Sequence, residues 1–211
     1  MISASVVEAS GLQLLRGDRP ALREVTFAVS SGELVAVTGA PGEGKSTILA
    51  ALAGRLAPDA GSVRCDGATV FITEDSDGLA MVLTARENVL VPLLAAGCSP
   101  AEAARRVTET LESVGLGEYE GHLMDELSGG QQQRVGIAQA LAQNASVILA
   151  DEPTSALDAS NRQRVLALLR EAARNGAAVL VTTDDPETVE QADGELHVAD
   201  GAVRWVRPVG S

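Results

Sequence analysis

The sequence predicts an α/β fold built on a mainly parallel sheet covered on both faces, and three observations point there. Apolar segments of strand length alternate with segments of helical periodicity. Turn residues such as Gly32, Pro58, Gly61 and Gly115 separate them. No internal repeat or long linker divides the 211 residues, a length that suits one large α/β domain with room for a small helical insertion.

Taken in order, Val25, Phe27 and Val29 alternate with polar residues, as in a half-buried strand. Gly32 turns the chain into an apolar strand over residues 33–38, which runs straight into a glycine cluster. Helical spacing covers residues 46–56 and is closed by Pro58 and Gly61. Short strands follow around Val63 and over residues 70–72, and residues from about 85 to 142 read as mostly helical. Ser99, Pro100 and Glu102 form a helix start with a capping box and a proline at the first helical position. That helix runs to Val114 and stops at Gly115. A buried strand is expected over 147–150, and then a helix over 161–174 whose core face is read from Val165, Leu168, Leu169 and Ala172. Another strand covers 178–182, and residues 195–206 read as a hairpin turning at Asp200-Gly201.

Composition narrows the function classes. Hydrophobic residues make up 45% of the chain, so it can bury a core. No apolar run approaches the roughly 18 residues that a membrane-spanning helix needs: residues 89–96 contain Pro92, and 177–181 is only strand-length. A membrane role therefore has to come through a partner. Sixteen basic against 29 acidic residues give a net charge of −13, which argues against nucleic acid or an anionic lipid surface as partner. Residues 1–10 lack the pattern of a signal peptide, so the expected location is cytoplasmic. Cys65 and Cys98 stand far apart with no metal-ligand spacing and read as reduced structural thiols.

Three segments carry chemistry. Gly39-Ala40-Pro41-Gly42-Glu43-Gly44-Lys45-Ser46 matches GxxxxGK[ST] and lies between a predicted strand and a predicted helix, the context this pattern requires. Glycines let backbone N–H groups curl round a phosphate, and a helix N-terminus adds a favourable field. Lys45, the only lysine in the chain, would reach the β- and γ-phosphates, and Ser46 would ligate Mg²⁺; with Thr47, these residues are the candidates for holding ATP. The second segment is an apolar strand ending in Asp151-Glu152. Asp151 at the strand tip would hold Mg²⁺, usually through water, and Glu152 would polarise an attacking water. In the third, Leu127-Ser128-Gly129-Gly130-Gln131-Gln132-Gln133-Arg134, Ser128 and the N–H groups of Gly129 and Gly130 make a helix start that can grip a phosphate.

The third segment resembles the signature of the ATP-binding-cassette (ABC) ATPases, and the other two resemble their Walker A and Walker B motifs. Ser155-Ala-Leu-Asp158 is similar to their D-loop. Residues 83–89, 114–116 and 149–154 look most like the lipoprotein-release, macrolide-exporter and cell-division branch. The resemblance covers nearly the whole chain and implies a P-loop NTPase fold: a RecA-like mainly parallel sheet, a small antiparallel β-subdomain and a helical signature subdomain at about 85–142, all in one cassette over 1–211. It also implies an ATPase working in a head-to-tail dimer, each signature closing the other subunit's ATP site. The implied partners are a second ABC subunit, identical or different, and a polytopic membrane permease. The implied location is peripheral, at the inner face of the membrane.

Three positions depart from the family pattern. Asp184, in Thr183-Asp184-Asp185-Pro186, stands where the switch histidine belongs, which makes it a second catalytic candidate beside Glu152. An aspartate there adds negative charge beside ATP unless it points away or binds a proton. His122 and His197 lie elsewhere in the sequence and read as structural. The Q-loop glutamine is replaced by Asp75, or by Glu74 if one residue is gapped. The aromatic that stacks on adenine falls near Leu14 or Leu15. These departures keep open an alternative, a nucleotide-gated subunit with little hydrolysis, paired with a better-equipped relative. A soluble ABC protein without a membrane partner, acting in assembly or repair, is a third.

Overall fold

Alternating burial draws the N-terminal segment into two long strands, β1 (Ser5–Arg16) and β2 (Arg19–Ser30), paired antiparallel. Val7, Ala9, Leu12 and Leu14 of β1 and Leu22, Val25, Phe27 and Val29 of β2 all turn into the core. The computed structural model describes residues 5–17, 19–73, 78–155 and 157–210. After β3 (Leu34–Thr38) and helix α1 (Lys45–Leu52), strand β4 (Ala60–Cys65) pairs with the free edge of β1 to complete a small antiparallel sheet.

The second sheet is mainly parallel. Its further strands are β5 (Thr69–Ile72), β6 (Val147–Asp151), β7 (Ala178–Thr182), β8 (Gly194–Ala199) and β9 (Ala202–Arg207), in the order β5-β6-β7-β3-β8-β9. β3 lies parallel between β7 and β8, and β6 pairs parallel with β7. Strands β3, β6 and β7 are buried almost throughout, which is why they read as unbroken apolar runs. The β8–β9 hairpin turns at Asp200 (φ 51°) and Gly201 (φ 74°), the two positive φ values that a two-residue type I′ turn demands.

The chain forms two compact units. The first comprises Met1–Phe71, Ser146–Glu152 and Leu169–Ser211, and carries α1 and the short helix α6 (Pro186–Gln191). The second comprises Ile72–Ala145 and Pro153–Leu168 and carries α2 (Ala85–Ala95), α3 (Pro100–Ser113) and α4 (Gly129–Ala142). Helix α5 (Ala159–Arg174) begins in the second unit and ends in the first.

Several expectations need correction. Helix α1 stops at Leu52, not 56, because Gly54 (φ 71°) closes it with a Schellman turn: Arg55 N–H bonds Ala50 O at 2.9 Å and Gly54 N–H bonds Ala51 O at 3.0 Å. Ser99 caps α3 as expected, but Glu102 does not reach back to complete the box. Its carboxylate instead accepts from Arg105 and Arg106, at 2.7 Å each, and these guanidinium groups hold it down to about 2. The core face of α5 is Val165, Leu166, Leu169 and Ala173, with Leu168 and Ala172 half-buried at its edge. Helix α2 runs on through Pro92. Proline has no N–H to give the carbonyl four residues back, and the side chain of Gln139 supplies that bond to Asn88 O at 3.0 Å. Helix α6 went unread because six residues are too few for periodicity. Both cysteines are free, and burial pushes the Cys65 thiol up to about 11.

Candidate functional site

At the C-terminal end of β3 the chain passes directly over β8. A Cβ on Gly39 (φ 143°) would lie 2.3 Å from Val198 O, so only glycine fits. Ala40, Pro41 and Gly42 form the exposed crest of the loop. Glu43 ties it down from the other side: its carboxylate accepts the N–H of Asp200 at 2.5 Å, while Arg23 N–H bonds Gly201 O at 2.7 Å. Gly44 (φ 108°) is the N-cap of α1 and has no side chain with which to cap it. The first N–H groups of α1 thus have no side-chain acceptor, the arrangement that suits an anion. Thr47 is half-buried in the first turn.

Lys45 starts α1, with its side chain only 8% exposed. Its ammonium donates to Gly39 O at 2.7 Å, pairs with the carboxylate of Asp184, and lies 3.8 Å from Glu152 Oε1. Ser46 Oγ donates to Asp151 Oδ1 at 3.0 Å, and Thr182 Oγ1 donates to the same oxygen at 2.6 Å. Glu152 N–H in turn donates to Thr182 Oγ1 at 2.9 Å, with Glu152 at φ 47°. All these groups belong to the first unit. They gather at the C-terminal ends of β3, β6 and β7, where parallel sheets place their ligands.

The donor set suits Mg²⁺. Ser46 Oγ and Asp151 Oδ1 form a hard oxygen pair, and Mg²⁺ usually takes one or two protein oxygens and completes its octahedron with phosphate and water. No cluster of three His, Cys, Asp or Glu that could cage a metal occurs among the described residues.

Asp184 does not point away. Thr183, fully buried, bonds Val37 O through its N–H at 3.2 Å, and Asp185 N–H bonds Thr183 Oγ1 at 3.0 Å. Asp185 then caps α6 by accepting from Glu187 N–H and Thr188 Oγ1. With both neighbours anchored, the carboxylate between them is presented to Lys45. Of the two leucines, Leu14 is in the core and Leu15 is 53% exposed, so only Leu15 is offered to a base. The Asp75 or Glu74 position lies outside the described residues. His122 packs its ring 5.3 Å from Tyr119. His197 is nearer the loop than the sequence suggested: pairing of β3 with β8 sets its Nδ1 3.0 Å from Thr38 Oγ1. There it lines an open groove of about 590 Å³ together with Gly39, Pro41 and Asp184.

Sequence reasoning missed Thr182, and it named Glu43 only as a candidate for holding ATP, not as the tie to Asp200. A signal existed for Thr182, the one polar residue, closing an otherwise apolar strand; in the structure it is 0% exposed. None existed for Glu43, whose partner is 157 residues away.

In the second unit, Ser128 is the N-cap of α4. Its Oγ accepts Gln131 N–H at 3.3 Å, and Gln131 Oε1 accepts Ser128 N–H at 2.8 Å. Gly129 is exposed and Gly130 half-exposed at the first turn.

The family model described as ABC transporter matches residues 22–155. The macrolide export ATP-binding/permease protein MacB of Marinobacter nauticus is 39% identical over 199 residues, covering 86% of this chain and 31% of that protein. The methionine import ATP-binding protein MetN of Brucella abortus is 36% identical over 215 residues, covering 94% and 58%. The chain thus spans less than two thirds of either relative. The expected macrolide-exporter branch is represented here beside an importer. Among solved structures, the dimeric post-hydrolysis state of the ATP-binding cassette MJ0796, bound to ADP and Pi, matches with a TM-score of 0.88 and 31% identity. That match covers 97% of this chain and all of the other. These likenesses, and the motif residues folded as described, make the chain a member of the ABC transporter family and, within it, an ATP-binding cassette.

Proposed function

We propose that this chain binds Mg-ATP on residues 39–47 and hydrolyses it in a head-to-tail pair of cassettes to drive a polytopic membrane permease. The observation that carries the reading is the convergence of Lys45, Ser46, Asp151 and Glu152 on one loop-and-helix start. Lys45 withdraws charge from the β- and γ-phosphates, the role of a buried ammonium at the start of a phosphate-binding helix. Ser46 and Asp151 would hold Mg²⁺, which when bound neutralises the phosphate oxygens. Glu152 orients a water and accepts its proton. Leu15 covers the adenine face. Ser128, Gly129 and Gly130 close the partner cassette's site, and residues 1–211 act as one cassette with a helical subdomain at about 85–142.

Contact with the permease falls to the helical unit, which exposes Met81, Val82, Val91 and Leu94. No helix among the described residues is long and apolar enough to cross a membrane. The chain is placed at the inner membrane face through that partner.

Thermal shift and sizing chromatography test the reading. Lys45→Ala should stay folded and lose nucleotide-dependent stabilisation, an affinity loss on the order of 100-fold for a charge-assisted contact of this kind. Glu152→Gln with Mg-ATP should shift from monomer to dimer, and Ser128→Arg should abolish the shift. A chain that binds ATP but stays monomeric belongs to a heteromeric pair. ATP affinity unchanged in Lys45→Ala would falsify the assignment.

A further inference from the structure

We infer that Asp184 is an internal rival of the γ-phosphate and sets the preference of this site between ATP and ADP; the inference rests on the nucleotide-binding reading above.

An ammonium has three donors, and two of Lys45's are already engaged, by the Gly39 carbonyl and the Asp184 carboxylate. Lys45 is also the only lysine, so no other ammonium can take its place. Reaching both the β- and γ-phosphates therefore requires an existing partner to leave. The Gly39 carbonyl is fixed, because its loop is pressed against Val198 O and tied to Asp200. Asp184 is the partner that can leave: its side chain is 55% exposed and can swing into water at small cost.

The two nucleotides then meet different costs. ADP offers Lys45 its β-phosphate but no γ-phosphate, and Lys45 can greet it with its third donor while keeping Asp184. With the inner phosphates cradled by the loop N–H groups, the γ-phosphate of ATP extends past Lys45 toward the ends of β6 and β7, where Glu152 and Asp184 stand. The carboxylate must move, yet its backbone stays anchored through Thr183 and Asp185, so the negative charge remains close by. Asp184 therefore weakens ATP binding selectively and leaves ADP binding nearly alone.

The test is calorimetric titration of the 211-residue chain with Mg²⁺ and either ADP or the non-hydrolysable analogue AMP-PNP. Wild type, Asp184→Asn and Asp184→Ala are compared, with melting temperatures taken alongside, so that either variant serves if the other folds poorly. Wild type should bind ADP at least as tightly as the analogue. Both substitutions should tighten the analogue about tenfold and move ADP by less than about twofold, the scale of losing one partly screened ion pair and its repulsion. Equal tightening for both nucleotides, or none for either, overturns the inference while leaving nucleotide binding intact. Absence of any nucleotide binding in all three proteins overturns the underlying reading instead.

Discussion

The two glycine-rich helix starts of this chain, at Gly44 and at Ser128, are built in opposite ways. Helix α1 begins on a residue with no side chain, so its first N–H groups are left for something from outside. Helix α4 begins with a closed reciprocal box, Ser128 and Gln131 each satisfying the other's backbone. Their electrostatics differ as well. Around α1, one lysine faces Asp184 and Glu152 while Asp151 is held by two hydroxyls. Within α4, burial and the nearby Arg164 push the Arg134 guanidinium below its ordinary value, and its Nε finds no hydrogen-bond partner among the described residues. The contrast teaches that two glycine-rich helix starts can leave their first N–H groups open or close them internally. The start at Ser128 satisfies its own first groups within the chain.

Three substitutions break or sharpen that contrast. Gly39→Ala should have the largest effect, since its Cβ would collide with the backbone of Val198 and sit at a φ that side chains avoid. A loss of about 3 kcal/mol or more in urea unfolding is expected, together with lost ATP-dependent stabilisation. Near-native stability would mean that the loop is not held on β8. Thr182→Val comes next. It removes the donor to Asp151 and the acceptor for Glu152 N–H in a fully buried place, for a cost of about 1–3 kcal/mol. Steady-state ATPase assays should also show a raised Mg²⁺ requirement; an unchanged requirement would mean that Asp151 needs no such support. The smallest effect is expected for Ser128→Ala, about 1 kcal/mol of thermal stability for one lost cap. If that variant melts like wild type, α4 is not self-capped in solution and the contrast with α1 disappears.

Much of this architecture was written locally. The loop from Gly39 to Ser46, the acids at the end of β6, the stop at Gly115 and the turn at Asp200-Gly201 depend on backbone sterics and hydrogen bonds between near neighbours, and such patterns survive in one dimension. Capping was half legible for the same reason. Ser99 and Pro100 could only start a helix, but whether Glu102 turned back to the cap or toward Arg105 and Arg106 was a choice among competing charged partners. Similarly, the spacing of α5 announced an apolar stripe, while its breadth was set by what packs against it, which brought in Leu166 and Ala173.

By itself, then, the sequence determined the family, most of the elements in their order and the motif residues proposed to meet a phosphate, because each rests on contacts within a few residues. Tertiary structure alone decided how those residues are paired before any nucleotide arrives. The Asp184 carboxylate lies on an ammonium 139 residues earlier in the chain, and Thr182 holds an aspartate 31 residues away. Gly39 is required by Val198, a residue of a different strand. Each of these follows from the parallel order that sets β6 beside β7, and β7 and β8 on either side of β3. Strand order is a long-range packing outcome, and no spacing in the sequence encodes it.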